Sequence, residues 1–82
     1  MTDTETAVRR ALTQVAPEAD LDTLPPDALL QEELDIDSMD FLNFLIGLAE
    51  LTGVHVPESD YSQVRTFAGC VAYLRAHARP TG

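Results

Sequence analysis

Three stretches of the chain repeat apolar residues at helical spacing, and polar or proline-broken segments separate them. In ETAVRRALTQV, residues 5–15, Val8, Leu12 and Val15 fall at i, i+4 and i+7 with Arg9, Arg10 and Gln14 off the stripe. That spacing predicts a helix, which Thr4 or Thr6 could cap. A second helix is predicted over Ser38–Thr52, with Asp37 as N-cap, Asp40 as the acid three positions on, and Gly53 where a C-terminal glycine belongs. In the third, Thr66 stands as the cap, Phe67, Cys70, Val71, Leu74 and Ala78 form the stripe, and Pro80 forbids continuation.

Between the first two helices, APEADLDTLPPDALLQEELDID carries three prolines and no sustained period. It reads as a long loop, and loops of that length in small domains are functional or are pinned by apolar anchors, for which Leu21, Leu24, Leu29, Leu30 and Leu34 are available. VHVPESDYSQV supports one short helical turn near Ser59–Gln63. The expected fold is therefore all-α: a small four-helix bundle of three longer helices plus one short helix, with the long loop between helices one and two. One domain over residues 1–82 is expected, its helical core at about 5–77, because a chain of 82 residues buries too little surface for a two-lobed catalytic cleft.

The second helix holds more apolar surface than such a bundle needs. Projected at 100° per residue, Asp40, Asn43, Gly47 and Glu50 share a polar face, while Phe41, Leu42, Phe44, Leu45, Ile46, Leu48, Ala49 and Leu51 occupy most of the rest. A helix on a bundle surface needs an apolar arc of only about 100°. Either this is a central helix contacted on several sides, or Met39, Leu42 and Ile46 form a docking strip along the border of the polar face, and both can hold together.

Charge narrows the partners. The net charge is −9 with no lysine, and all fourteen Asp and Glu lie in residues 1–60, where only Arg9 and Arg10 oppose them. Nucleic acid and anionic membranes need Lys and Arg to neutralise phosphate, so partners with basic surfaces are expected, with no nucleic acid and no membrane insertion. A single cysteine, Cys70, excludes an internal disulfide, and no charged-then-apolar leader or long apolar stretch is seen, so a cytoplasmic, soluble, monomeric protein is expected. His55 and His77 are each read as groups near helix C-termini that interact with the last carbonyls, and no metal site is indicated.

The candidate chemistry gathers in EELDIDSMDFLNF, Glu32 to Phe44, where five carboxylates surround one hydroxyl, Ser38. A hydrolase nucleophile needs a positioned base and an oxyanion hole, yet neither histidine lies in the Ser38 segment, and the flanking glycines of a nucleophile elbow are absent. An EF-hand loop begun at Asp35 would place Asp40 where glycine is required and Ile46 where the bidentate glutamate belongs. Aspartyl-phosphate chemistry needs a sheet domain and a phosphate-binding lysine. No catalytic residue is assigned. At the first turn of a helix the Ser38 hydroxyl stands beside free N–H groups at the positive end of the dipole, which suits a phosphate ester; the plain alternative is a second capping residue beside Asp37.

ELDIDSMDFLNFLIGLAELTGVHVP resembles the central segment of acyl carrier proteins: an Asp-Ser pair, an aliphatic, an acid, a helix, then Val56-Pro57 at the family's spacing. DALLQEEL before it resembles the loop that leads into the site, and the likeness spans about residues 5–77. The resemblance implies a bundle of acyl-carrier type in which Ser38 bears a covalent 4′-phosphopantetheine, transferred from coenzyme A by a phosphopantetheinyl transferase with Mg²⁺. It implies acyl thioesters on the distal thiol, Cys70 as an ordinary core residue, and a ligase or synthase that loads the cargo. Asp37, Met39, Asp40, Leu42, Asn43, Ile46 and Glu50 would meet partner enzymes, and Phe41, Phe44, Leu45, Leu48 and Leu74 are candidates to line an acyl pocket. Two departures stand out. Asp35 occupies a position where the family usually has glycine, and Asn43, Ala49 and Leu51 stand where carriers of fatty-acid synthesis are acidic, which points toward a more specialised pathway. An aminoacyl or peptidyl carrier, and an unmodified interaction module that kept the fold, are the alternatives.

Overall fold

The computed structural model describes residues 4–77. Four α-helices, α1 (Thr4–Val15), α2 (Leu30–Glu33), α3 (Ser38–Thr52) and α4 (Phe67–His77), and two 3-10 segments, Leu21–Thr23 and Glu58–Val64, make up the described chain, which contains no strand beyond an isolated antiparallel bridge between Leu29 and Thr66. The all-α bundle is as expected. Ala78 and Pro80, expected to close the last helix, lie outside the described residues, as does the position before α1. Thr4 and Thr6 both lie within α1, so neither is its cap.

Among the described elements, α1 and α3 make the most extensive contact. α1 buries Ala7, Val8, Ala11 and Leu12, a stripe one residue type smaller on one edge than on the other, and α3 answers with Gly47. A Cβ at Gly47 would sit 3.0 Å from Gln14 Oε1 and 3.8 Å from Ala11 Cβ. Gly47 therefore belongs to the core face of α3 and not to the polar face expected for it: without a side chain it carries no polarity signal, and the neighbour decides where it goes.

The long connection carries more structure than its composition predicts. Asp20 caps the first 3-10 turn by accepting the Asp22 N–H at 3.1 Å, and Arg9 reaches Asp22 at 3.0 Å, an exposed ion pair worth at most about 1 kcal/mol. α2 has no side-chain cap at Leu29. It is held instead from afar: the Leu30 N–H donates to the Arg65 carbonyl at 2.8 Å, and the Ala68 N–H to that of Pro26 at 3.0 Å. Of the five proposed anchors, Leu30 is fully buried and Leu21, Leu24 and Leu34 pack partly on the core, while Leu29 is 41% exposed.

The helical turn expected near Ser59–Gln63 is the longer 3-10 segment Glu58–Val64. It is fastened to α4 by side chains. Tyr73 donates its hydroxyl to Asp60 at 2.7 Å, and the Cys70 thiol points to the Val64 carbonyl at 3.2 Å. Thr66 caps α4 by accepting the Gly69 N–H at 2.9 Å. A Cβ at Gly69 would run into the Gln63 carbonyl oxygen, so this glycine sets how closely the two elements approach. His77 stands in the last turn of α4, as expected, and its ring stacks on that of Tyr73 with centroids 4.1 Å apart.

Candidate functional site

Asp37 has extended backbone and its carboxylate accepts the Asp40 N–H at 2.9 Å, which starts α3 and leaves Ser38 as its first residue. Gly53 stops the helix in the left-handed region, φ 76°, with its N–H on the Ala49 carbonyl. Immediately upstream Asp35 is also left-handed, φ 52°, the one non-glycine residue so placed among those described. The chain thus turns sharply into α3 at the position where the resemblance expects glycine. A short polar side chain that bonds locally is tolerated there better than a branched one.

Ser38 is exposed, and among the described residues its hydroxyl makes no hydrogen bond to a protein group. Capping is done by Asp37 alone. His55 follows the far end of α3, roughly 20 Å along a fifteen-residue helix at 1.5 Å per residue, so it is no base for Ser38. The Cys70 thiol, pushed up to about 12 by burial, is no nucleophile at neutral pH. Among the described residues no group of three or more His, Cys, Asp or Glu could hold a metal ion, and no helix is long and apolar enough to cross a membrane.

Beside Ser38 opens a cleft of about 430 Å³ between α3, the residues around α2 and the end of the Glu58–Val64 segment. Phe41 and Tyr61, edge to face with ring centroids 6.2 Å apart, give it an aromatic wall; Leu29 and Leu42 extend the apolar lining, and Gln31, Glu32 and Arg65 supply polar groups. Of the five residues suggested for an acyl pocket, Phe41 lines this cleft, whereas Phe44, Leu45, Leu48 and Leu74 are packed in the core. Leu29 was read from sequence only as a loop anchor, and Tyr61 and Arg65 were not singled out. Leu29 and Arg65 are brought to it by the Leu30–Arg65 backbone bond and the Leu29–Thr66 bridge, and Tyr61 meets Phe41 there, contacts with no local signature.

From the cleft edge at Leu42 an apolar strip runs around α3: Met39, Leu42 and Ile46 are 70, 43 and 50% exposed, with Asn43 and Glu50 exposed beside them. Asp40 is half-buried. A covalent phosphoryl group fits this geometry: the hydroxyl is accessible and unbonded, the first-turn N–H groups of a helix lack intrahelical partners, and the cleft offers room for a chain leaving the serine.

No family model matches the chain. It is 34% identical over 77 residues, 93% of its length and 95% of the relative's, to acyl carrier protein 2 of Ralstonia nicotianae. It is 31% identical over 58 residues to the acyl carrier protein of Lactobacillus johnsonii, covering 71% of this chain and 72% of that one. The acyl carrier protein of Lactobacillus acidophilus is 27% identical over 60 residues, 73% of this chain and 75% of the relative.

Proposed function

The chain belongs to the acyl carrier protein family, and we propose that it carries acyl intermediates as thioesters on a 4′-phosphopantetheine arm attached to Ser38. The observation that carries this reading is the exposed Ser38 hydroxyl at the start of α3, left unbonded because Asp37 does the capping, and opening on the cleft. In the loading step the Ser38 oxygen attacks the phosphoryl group of coenzyme A nearest the pantetheine. A P–O bond to Ser38 forms, the bond to adenosine 3′,5′-bisphosphate breaks, and the transferase takes the serine proton. Once attached, the arm supplies a terminal thiol for thioester formation. The chain itself contributes position and charge and performs no catalysis.

Partners are the phosphopantetheinyl transferase, an acyl-loading ligase or synthase, and enzymes that take the acyl group onward in fatty-acid, polyketide or more specialised metabolism. Basic surfaces would be steered by the carboxylates of residues 32–40, while Met39, Leu42 and Ile46 supply the apolar contact once docked. A cytoplasmic setting suits the lone buried thiol.

The test is an intact mass after incubation with coenzyme A, Mg²⁺ and a broad-specificity phosphopantetheinyl transferase. One phosphopantetheine adduct is expected on the wild type and none on Ser38→Ala. No adduct, or an equal adduct on both, would leave the interaction-module reading in its place.

A further inference from the structure

The Ser38 cleft has one cationic residue in its lining, Arg65, and it faces a helix start crowded with carboxylates. Glu32 is in the cleft wall, and Asp35, Asp37 and Asp40 lie within three residues of Ser38. A phosphodiester on Ser38 adds one more negative charge to that group. The helix dipole offers about half a positive charge at this end, but the Asp37 carboxylate already draws on it through the Asp40 N–H. In a chain of net charge −9 without lysine, few full charges are at hand to compensate. Arg9 is engaged with Asp22, and Arg10 and Arg75 do not line the cleft.

Arg65 is placed for the task in two respects. Its backbone is fixed, because its carbonyl accepts the Leu30 N–H at 2.8 Å and so ties the two walls of the cleft together. Its side chain is exposed and, among the described residues, forms no ion pair, even though Glu32 lines the same cleft. A guanidinium presents paired donors that match two phosphate oxygens, which a lysine does only as a point charge.

We infer that Arg65 is a positioning residue for the prosthetic arm, pairing with the phosphodiester on Ser38 and laying the arm along the cleft between Leu29, Leu42 and Tyr61. This rests on the reading of Ser38 given above. It also gives a release step: a docking enzyme with a basic surface competes with Arg65 for the same phosphodiester, and the arm leaves the cleft as the counter-ion is exchanged.

The experiment uses the full chain, ¹⁵N-labelled and treated with coenzyme A and transferase, as wild type, Arg65→Gln and Arg65→Lys. Intact mass comes first: if the wild type gains no arm, the carrier reading itself fails. Amide spectra are compared between apo and holo forms, and ³¹P spectra among the holo forms of the three proteins. Wild type is expected to show loading shifts at Leu29, Leu42 and Tyr61 that fade as salt rises toward ~1 M, where the screening length is about 3 Å. R65Q is expected to lose most of those shifts and to move the ³¹P resonance, and R65K to restore part of both. Identical ³¹P and cleft shifts in R65Q and wild type, or a wild-type cleft unmoved by loading, would overturn the inference. Arg65 is exposed and its backbone bond survives substitution, so unchanged helical circular dichroism separates this from unfolding.

Discussion

On α3, Phe44, Leu45 and Leu48 have lost almost all contact with solvent, whereas Met39, Leu42 and Ile46, around the other side of the same helix, keep 70, 43 and 50% of theirs. The two sets are equally apolar, so hydropathy does not separate them. Their neighbours do: the inner set joins one core with residues of α1 and α4, whereas the outer set is left largely open, Leu42 at the edge of the cleft. Burying a Leu or Ile side chain fully is worth roughly 1.5–3 kcal/mol, a stabilisation that the outer set forgoes. In a domain this small the forgone stability is a sizeable fraction of the total, which argues for a surface kept for partners.

The largest contrast comes from one substitution on each face. Phe44→Ala should lower unfolding free energy by about 3–5 kcal/mol, read as a drop in urea midpoint, because it empties the centre of the core. Ile46→Glu should change the midpoint by no more than ~0.5 kcal/mol and yet abolish loading by a partner ligase or synthase. If Ile46→Glu unfolded the protein, the outer strip would be core, and the docking reading of that face would fall.

A buried thiol tests the inner side without altering α3. The Cys70 pKa rises from 9.0 to about 12 through burial, so above pH 9 the unfolded chain releases a proton that the folded chain keeps. Stability should therefore be flat below pH 9 on this account and fall as pH rises toward 12, by at most roughly 4 kcal/mol at 1.36 kcal/mol per unit. Tyr73 works in the same direction at higher pH, its pKa raised by burial, then by its bond to Asp60 and that group's charge. Urea midpoints at neutral and alkaline pH should converge in Cys70→Ala relative to wild type. An equally steep alkaline loss in that variant would mean the thiol is not shielded as the fold places it.

The two helical glycines sharpen the comparison further. Gly69→Ala should cost about 1–3 kcal/mol, since the new methyl meets the Gln63 carbonyl, a backbone group that cannot step aside. At Gly47 the nearest atom is the far end of the exposed Gln14 side chain, which can turn away. Gly47→Ala should thus gain up to ~1 kcal/mol from helix propensity. Similar losses at both sites would show that α1 and α3 pack more tightly than the Gln14 contact implies.

What was legible beforehand follows the range of the interactions. Asp37, Gly53 and Thr66 act on groups within a few residues, and all three terminate helices as their types predict. The outer strip was legible too, because Met39, Leu42 and Ile46 share one arc at 3.6 residues per turn. The short helix at Leu30–Glu33 was not, since it has no capping side chain and depends on a bond to Arg65, thirty-five residues from the first of its chain partners in sequence by no local rule. Tyr73 lay off the apolar stripe read for its helix, and its burial becomes affordable only through Asp60. The Ser38 position could be read from its surroundings, but the cleft and its cation could not, because both depend on segments brought together from opposite ends of α3.

The smallest single change is expected for Asp35→Gly, at the position where the loop turns into α3 and the two faces begin. A left-handed backbone costs an ordinary residue about 1–2 kcal/mol, and an aspartate less. Glycine removes that strain, but it also enlarges the conformational freedom lost on folding, by roughly 0.5–1 kcal/mol. Asp35→Gly should therefore leave the urea midpoint nearly unchanged or raise it by no more than ~1 kcal/mol in free energy. Asp35→Val, branched at Cβ and unable to bond locally, should lower it by about 1–2 kcal/mol. The pair distinguishes backbone geometry from charge: if both variants lose the same stability, the carboxylate at Asp35 matters for itself. In that case the acidic approach to Ser38 helps build the turn itself.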